Sequence, residues 1–328
     1  MNSIPKAHGC LAGVALGDAL GRASEFMTRE QIRQQFGWLD HFAETSPHHP
    51  AYGAPFGSIT DDTEQTLMIA RLLATPEPLT PERVADAIVA WARANDGLNN
   101  PYLGPSTRRA LAQLMQGTSP HETGKSGTTN GAAMRVAAIG VANAGNFENA
   151  LRDAVAASIP THNTHNGIQG ATTVACAIAE AMTQDATLEK IVAAAQQGAR
   201  RGREFGVWSW ATPLDKRIEL AARLVREVKT RDDALQALYD FVGVGLDPAE
   251  SVASAIGVVI AANGETMDAI YLGANIGGDS DTIAAIAGGI CGALRGIESL
   301  DAKMLSEVER VNKLNLAEIA RGLVKRDA

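Results

Sequence analysis

Two short stretches of this sequence carry the residue types that hold a divalent cation. The first, Gly57-Ser58-Ile59-Thr60-Asp61-Asp62-Thr63, runs into an apolar helical pattern around Leu67, Ile69, Leu72 and Leu73. The second, Gly277-Gly278-Asp279-Ser280-Asp281-Thr282, runs into an apolar stretch from Ile283 to Leu294. Each brings two carboxylates and one or two hydroxyls to the start of a strongly apolar helix. N-capping explains a single acid there: Asp and Thr are preferred caps, and a carboxylate gains roughly 0.3–1 kcal/mol from the helix dipole. Capping uses only one side chain, however, and each of these helices carries two acids within three residues. The Asp281 helix also reads as buried on nearly every face, where unpaired carboxylates are costly and a bound dication removes the cost. Carboxylate and hydroxyl oxygens are hard ligands suited to Mg²⁺, Mn²⁺ or Ca²⁺, and the lack of nearby Cys or His partners argues against Zn²⁺. Whether two segments about 220 residues apart meet in space is a matter of tertiary structure, not of spacing.

The elements that must position these groups read as helices from end to end. Helical periodicity covers Lys6 to Leu20, Glu64 to Ala74, Pro81 to Ala94, Ser106 to Gln116, Ala132 to Ala144 and Phe147 to Ser158. It continues over Gly167 to Thr183, Leu188 to Gly198, Lys216 to Lys229, Asp232 to Phe241, Pro248 to Ala262, Glu265 to Ala274 and Ser280 to Leu294. A last helix runs from Ala302, with a break near Asn315. Thr80-Pro81 places proline at a first helical position, and Asp61 with Glu64 reads as a capping box. No alternating strand, βαβ pattern or fixed-period repeat is present. Pro47, Pro50 and Pro55 punctuate one connection, and Pro76, Pro78 and Pro81 another; both are short and mixed with apolar residues, unlike flexible linkers. The expectation is one compact all-α domain spanning 1–328.

Composition agrees with that and excludes several functions. Hydrophobic residues make up 45% of the 328 residues and aromatics only 5%, while Ala and Gly recur, which favours closely packed helices over a β-sandwich. A net charge of −8 without a Lys/Arg block argues against nucleic acid or an anionic membrane as partner. Three widely separated cysteines, Cys10, Cys176 and Cys291, do not make a disulfide framework or a zinc ribbon. The start lacks a basic stretch followed by a long apolar one, and no apolar run reaches the ~20 residues of a membrane span, so a soluble cytoplasmic protein is expected.

Weaker signals lie between the acidic segments. The Gly/Ser/Thr-rich stretch Lys125–Gly131 leads into a helix, where backbone N–H groups can cradle a phosphate, although such a loop is often only a turn. His162 and His165 are spaced HxxH, but a metal needs further donors, and a hydrogen-bonded histidine at a helix start is the simpler reading. Asn99–Ser106 is a turn by composition and a candidate lining of a cleft. Trp208 and Trp210 read as loop anchors rather than a base-stacking platform.

Taken in order, these strings resemble the ADP-ribosylglycohydrolase family, which includes dinitrogenase-reductase-activating hydrolases, ADP-ribosyl-acceptor hydrolases and J1-type crystallins. GCLAGVALGDALGRASE resembles the family's first helix and acidic loop, and GSITDDT and NIGGDSDT resemble its two metal signatures. GKSGTTNGAAMRVAAIG resembles the substrate-loop segment and SIPTHNTHNGIQGA the central Thr-His motif, so that the matches span roughly residues 6 to 296. The resemblance implies an orthogonal helical bundle with a binuclear Mg²⁺ site (Mn²⁺ being possible) formed by Thr60, Asp61, Asp62, Asp279, Asp281 and Thr282. It implies cleavage of the bond between the distal ribose of ADP-ribose and an acceptor, with Glu25, Asp62 and Asp279 as catalytic groups. It further implies that Ser126, Gly127, Thr128, Asn130, Gly131 and His162 contact substrate. Glu25 would transfer a proton to the leaving group or position the attacking water; its alternative is a solvated loop acid. Ordinary two-carboxylate glycosidase chemistry does not account for four aspartates paired with threonines.

Gly127-Thr128-Thr129 departs from the small-residue–aromatic pattern of some members, and no aromatic residue stands out to receive an adenine. That departure keeps open a second reading, an N-ribosidase acting on nucleoside-like small molecules with the same metal site. A third, a catalytically silent crystallin-like protein, is disfavoured by the full set of aspartates and by Glu25. The expected partners are therefore an ADP-ribosylated protein or a small ADP-riboside or nucleoside.

Overall fold

The structure, a computed structural model, describes residues 3–100 and 102–324. In chain order its helices are α1 (Ser3–Gly21), α2 (Arg29–Phe36), α3 (Asp61–Leu73), α4 (Pro81–Ala94), α5 (Pro105–Leu114), α6 (Pro120–Thr123) and α7 (Ala137–Ala142). There follow α8 (Phe147–His162), α9 (His165–Ala181), α10 (Leu188–Gly202), α11 (Leu214–Glu227), α12 (Arg231–Ala237) and α13 (Pro248–Ala261). The chain closes with α14 (Thr266–Ala274), α15 (Ser280–Arg295), α16 (Ala302–Asn312) and α17 (Leu316–Val324). Among the described residues the architecture is all-α, and the nearest thing to a sheet is an isolated bridge between Thr164 and Val207.

The centre of the molecule follows from glycine spacing. Gly9, Gly13, Gly17 and Gly21 recur every fourth residue on α1 and so share one face. That face lies directly on α15: a Cβ built at Gly13 would sit 2.1 Å from the Gly288 carbonyl oxygen, and one at Gly17 2.2 Å from that of Ala284. Gly9 meets Gly292 and Gly296, and Gly21 meets Ser280 and Asp281, so the two helices run antiparallel with their backbones touching. The C-terminal end of α1 is thereby brought against the N-terminal end of α15. Around this pair α15 is buried from Ser280 to Ala293, and α9 is buried along nearly all of its length.

Most expected helices form, with local departures. Thr80 caps α4 through the Arg83 N–H, with Pro81 at its first position. At α3 the cap is Thr60, whose side chain accepts the Asp62 N–H, and Glu64 instead accepts the Trp91 indole N–H at 2.8 Å. The Asp61–Glu64 capping box is therefore not formed, because Glu64 turns outward to a neighbouring helix. The helix expected from Ala132 begins only at Ala137, since Asn130–Ala132 make a 3-10 turn tied to other parts of the fold. Helix α2 was not expected: its only apolar residues are Ile32 and Phe36, so periodicity is faint, although Thr28 and Gln31 form a true capping box. The expected break near Asn315 separates α16 from α17.

Candidate metal-binding and catalytic site

Asp18, on the otherwise apolar α1, organises the first acidic segment. Its carboxylate, fully buried, accepts the Thr60 N–H (3.0 Å), the Thr60 hydroxyl (2.9 Å), the Thr63 N–H (3.1 Å) and the Thr63 hydroxyl (2.5 Å). Asp18 thus caps α3 from another helix, fixing the N-terminus of α3 at the end of α1, where α15 also begins. The second acidic segment is shaped by Gly277 and Gly278, with φ of 85° and 65°, a region that side chains rarely adopt. A Cβ at Gly278 would also lie 2.3 Å from the Val244 carbonyl oxygen, so only glycine fits. The two segments meet there, at the shared end of α1.

Thr60, Asp61, Asp62, Asp279, Asp281 and Thr282 all line one cavity of about 180 Å³, together with Glu25. Ligand atoms of Glu25, Asp279 and Asp281 lie within 4.8 Å of one another. Burial, and then the neighbouring acids, push Asp62 and Asp281 well above the ordinary carboxylate range. Asp61 is raised in the same way, by burial first and then by Asp18. Asp279 is pushed up to about 6 by burial, against hydrogen bonds from Asn130 and Thr282. Such a cluster is electrostatically unfavourable as it stands. Among the described residues Asp62 Oδ2 is buried without a hydrogen-bond partner, a state that an ion, a water or a ligand would relieve. An oxygen-only donor set of this kind suits a hard dication such as Mg²⁺ or Mn²⁺.

The sign of the resulting pH dependence is fixed. Carboxyls whose folded pKa exceeds the unfolded value hold protons more tightly when folded, so the metal-free protein loses stability as pH rises from about 4 towards neutrality. A bound dication cancels that loss. Adding EDTA is therefore expected to lower Tm by about 5 °C at pH 8 for sites held near a hundredfold saturation, and by clearly less at pH 5. Differential scanning calorimetry checks this; identical melting at pH 8 with and without EDTA would remove the case for a structural dication here.

Glu25 does not hang free in solvent. Its Oε2 lies 2.6 Å from His49 Nε2, and His49 Nδ1 accepts the Ala51 N–H at 3.0 Å. That backbone bond places the ring proton on Nε2, which donates to Glu25. Burial and then Arg22 push His49 down to about 4, so the ring is neutral near pH 7. Burial and then Asp281 and Asp279 raise Glu25 well above its ordinary value. The loop after Glu25 is pinned to the acidic turn by two backbone bonds, Phe26 N–H to the Gly278 carbonyl (2.7 Å) and Gly278 N–H to the Met27 carbonyl (2.9 Å). His49 therefore fixes the position of the Glu25 carboxyl. His49→Leu is expected to lower kcat about tenfold or more with KM and metal affinity little changed, and His49→Gln, which keeps an N–H donor, to recover much of the loss. Equal losses in both variants would mean that His49 serves packing alone.

The loop after α6 divides into two parts. Thr129, Asn130 and Gly131 line the cavity; Ser126, Gly127 and Thr128 do not. Asn130 donates through Nδ2 to Asp279 and to Ser251 Oγ (2.9 Å), so this residue holds a carboxylate of the acid cluster. Gly127 packs on the Thr161 carbonyl, 2.0 Å from where a Cβ would stand. The Thr128 N–H is taken by Ser106 Oγ at 3.3 Å, and the Ser126 carbonyl by Arg109 at 2.7 Å. His162 is buried behind this loop and outside the lining. Burial and then Arg135 and Arg109 hold its pKa well below the usual imidazole value.

Arg135, fully buried, ties the two halves together. Its Nη1 donates to Gln65 Oε1 (3.1 Å), and Gln65 Nε2 donates to Asp61 Oδ2 (3.1 Å). Its Nη2 donates to Thr161 Oγ1 (2.6 Å), which lies 2.7 Å from His162 Nδ1; His162 Nε2 then reaches Thr129 Oγ1 at 3.0 Å. A single guanidinium thus supports both an aspartate of the acid cluster, Asp61, and the cavity loop. Sequence reasoning missed Asp18 and Arg135, although a charged residue in an apolar helix such as α1 is itself a signal. It also missed the aromatic Phe26 on the cavity wall, whereas the expected lining by the 99–106 stretch is met by Tyr102, Leu103, Gly104 and Pro105.

Comparison with known proteins fits this geometry. The sequence profile described as ADP-ribosylglycohydrolase matches residues 2–328. The chain is 34% identical to the uncharacterized protein YegU of Escherichia coli (strain K12) over 320 residues, covering 97% of this chain and 96% of that one. It is 27% identical to the ADP-ribosylarginine hydrolase Tri1 of Serratia proteamaculans (strain 568), covering 96% of this chain and 79% of that protein. Among solved structures, an ADP-ribosylglycohydrolase-related protein complex shares the fold with a TM-score of 0.73 and 24% identity, each chain being 99% covered.

Proposed function

The chain belongs to the ADP-ribosylglycohydrolase family, and from that premise we propose that it is a divalent-cation-dependent glycosidase cleaving the bond between the distal ribose of an ADP-ribosylated substrate and its acceptor. The observation that carries the reading is the convergence of Thr60, Asp61, Asp62, Asp279, Asp281 and Thr282 with Glu25 on one cavity. The relative named ADP-ribosylarginine hydrolase supports the substrate class.

Those six residues would hold two Mg²⁺ ions, with Mn²⁺ as an alternative. When bound, the ions supply charge stabilisation and orientation for vicinal ribose hydroxyls. The protein's own groups do the rest. Asn130 and Thr282 fix the Asp279 carboxylate, and Gln65 fixes that of Asp61. Glu25, with one oxygen held by His49, keeps the other for the proton that moves as the glycosidic bond breaks. Over the turnover the hydroxyl of a water ends on the anomeric carbon and its proton on the leaving atom. Gly131 and Thr129 also line this cavity. A single domain over 1–328, working in the cytoplasm without nucleic acid or membrane partners, belongs to the same proposal; among the described residues no helix is long and apolar enough to cross a membrane.

A specific observation favours the second reading, an N-ribosidase for nucleoside-like substrates. The N–H groups of Gly127, Thr128 and Asn130, candidates for a phosphate cradle, are already taken by the Gly124 carbonyl, Ser106 Oγ and the Leu246 carbonyl. A diphosphate would find few donors left in this loop. A catalytically silent role gains no support, because no acid of the set is displaced from the cavity.

The test is release of product, followed by mass spectrometry, from arginine- and serine-linked ADP-ribosylated peptides, ADP-ribose derivatives and nucleosides, with Mg²⁺ and with EDTA. EDTA-sensitive release of ADP-ribose supports the first reading, and release of ribose from nucleosides alone the second. No release from any of them, with metal bound, would overturn both.

A further inference from the structure

Glu25 and Phe26 form the common wall of two cavities. On one side lies the acid-lined cavity described above. On the other lies a more open groove of about 430 Å³, whose rim includes Gln31, Gln34, Gln35, Ser46 and His48. A glycosidic bond placed at Glu25, with its ribose towards the aspartates, would project its leaving group across this wall.

Phe26 is held there at a cost. Its φ is 63°, a left-handed conformation that a bulky residue rarely adopts, and the residue is 62% exposed. Neither feature serves the core. The backbone is locked by the bond to Gly278, and one side of the ring rests near His49, with centroids 5.8 Å apart and planes inclined by 34°. An exposed aromatic face braced in this way beside the catalytic acid is suited to stacking on a flat group. The chemistry of the rim narrows the choice. Among the described residues, the groove is lined by no carboxylate other than Glu25 and by no Lys or Arg. A guanidinium, which presents donors only, would find Glu25 as its single charged acceptor. Glutamine amides offer donors and acceptors together, matching the edge of a nitrogen heterocycle.

We propose that this groove is the leaving-group subsite, that Phe26 is its stacking floor, and that it receives a planar nitrogen heterocycle linked through nitrogen to the ribose. The inference rests on the reading that the acid-lined cavity holds the ribose. Hydrolysis then breaks the bond from the anomeric carbon to nitrogen; water supplies a hydroxyl to that carbon and a proton to the departing base.

The experiment compares wild type, Phe26→Leu and Phe26→Trp, each with Mg²⁺ present. Binding of free adenine and free hypoxanthine is measured by calorimetry, and turnover of adenosine, inosine and arginine- and serine-linked ADP-ribosylated peptides is measured in parallel. Base binding is expected to weaken about tenfold in Phe26→Leu and to persist in Phe26→Trp, as loss of one base stack would produce. KM for the nucleosides should rise by a similar factor, and at least tenfold more than for the serine-linked peptide. Phe26→Gly, which removes the ring and relieves the left-handed strain, should melt no lower than wild type, so that lost binding is not lost folding. Equal base binding by wild type and Phe26→Leu, or equal losses on all substrates, overturns the proposal. A response confined to the arginine-linked peptide overturns the heterocycle in favour of a guanidinium. Phe26-dependent base binding without cleavage of any substrate leaves the subsite standing and removes the glycosidase reading instead.

Discussion

Asp281→Ala is expected to abolish tight divalent-cation binding and to lower kcat by about three orders of magnitude or more, ~4 kcal/mol of lost transition-state stabilisation. Asp281 stands at the first turn of α15 within the acid cluster, where it is almost wholly buried. Its Oδ1 accepts the Thr282 N–H at 2.8 Å, so that the carboxylate is oriented by its own helix. Removing it takes one carboxylate out of the group that Glu25, Asp279 and Asp281 form within 4.8 Å of one another. The helical fold should survive. Because burial and the neighbouring acids raise the pKa of this carboxyl, its charge opposes folding in the metal-free protein. The metal-free variant should therefore melt no lower than metal-free wild type, while its gain on adding Mg²⁺ or Mn²⁺ should vanish. Calorimetric titration with Mn²⁺, circular dichroism and turnover measure the three quantities. Unchanged turnover in the purified variant would sink the metal-site assignment, and loss of helicity would show that the residue serves the fold.

Gly17→Val is expected to cost about 3 kcal/mol or more of stability, with most of the protein lost from the soluble fraction. No side chain of any size fits between α1 and α15, since even a Cβ at this position meets the Ala284 carbonyl carbon at 2.4 Å and its oxygen at 2.2 Å. Relief would require the two helix backbones to separate, and backbone cannot yield as a flexible side chain does. The damage would reach the acid-lined cavity directly. Asp18 is the next residue and caps α3, and Asp281 begins the partner helix, so that parting the helices would also part the two acidic segments. Gly104→Ala is the control, because its added Cβ would meet nothing within 4 Å and its φ of −58° is ordinary. Urea unfolding of the two variants checks the contrast; comparable midpoints would mean that α1 and α15 tolerate a wider spacing than their packing indicates.

Much of the fold was legible in the sequence because helices are local. Thr80-Pro81 announced α4, and the apolar runs after Asp62 and Asp281 announced α3 and α15. Where local signals weakened, so did the reading. Helix α2 hid because its exposed faces are polar and only Ile32 and Phe36 mark a core side. The stretch from Ala132 read as helix but makes a 3-10 turn first, because Asn130 is drawn to Asp279, Ser251 and the Leu246 carbonyl, partners more than a hundred residues away.

The site divides along the same line. The sequence by itself determined which residue types stand at two helix starts, and two acids with hydroxyls at each point to hard-cation chemistry whatever surrounds them. Only the tertiary structure decided that they meet, because their meeting depends on glycines of α1 and α15 that let two backbones touch and on Asp18, which caps α3 from a different helix. Tertiary structure likewise turned Ser126, Gly127 and Thr128 away from the cavity and placed Phe26 on its wall. Carboxylate spacing is written along the chain, whereas orientation towards a cavity is a property of the packing of distant elements, which no local pattern encodes.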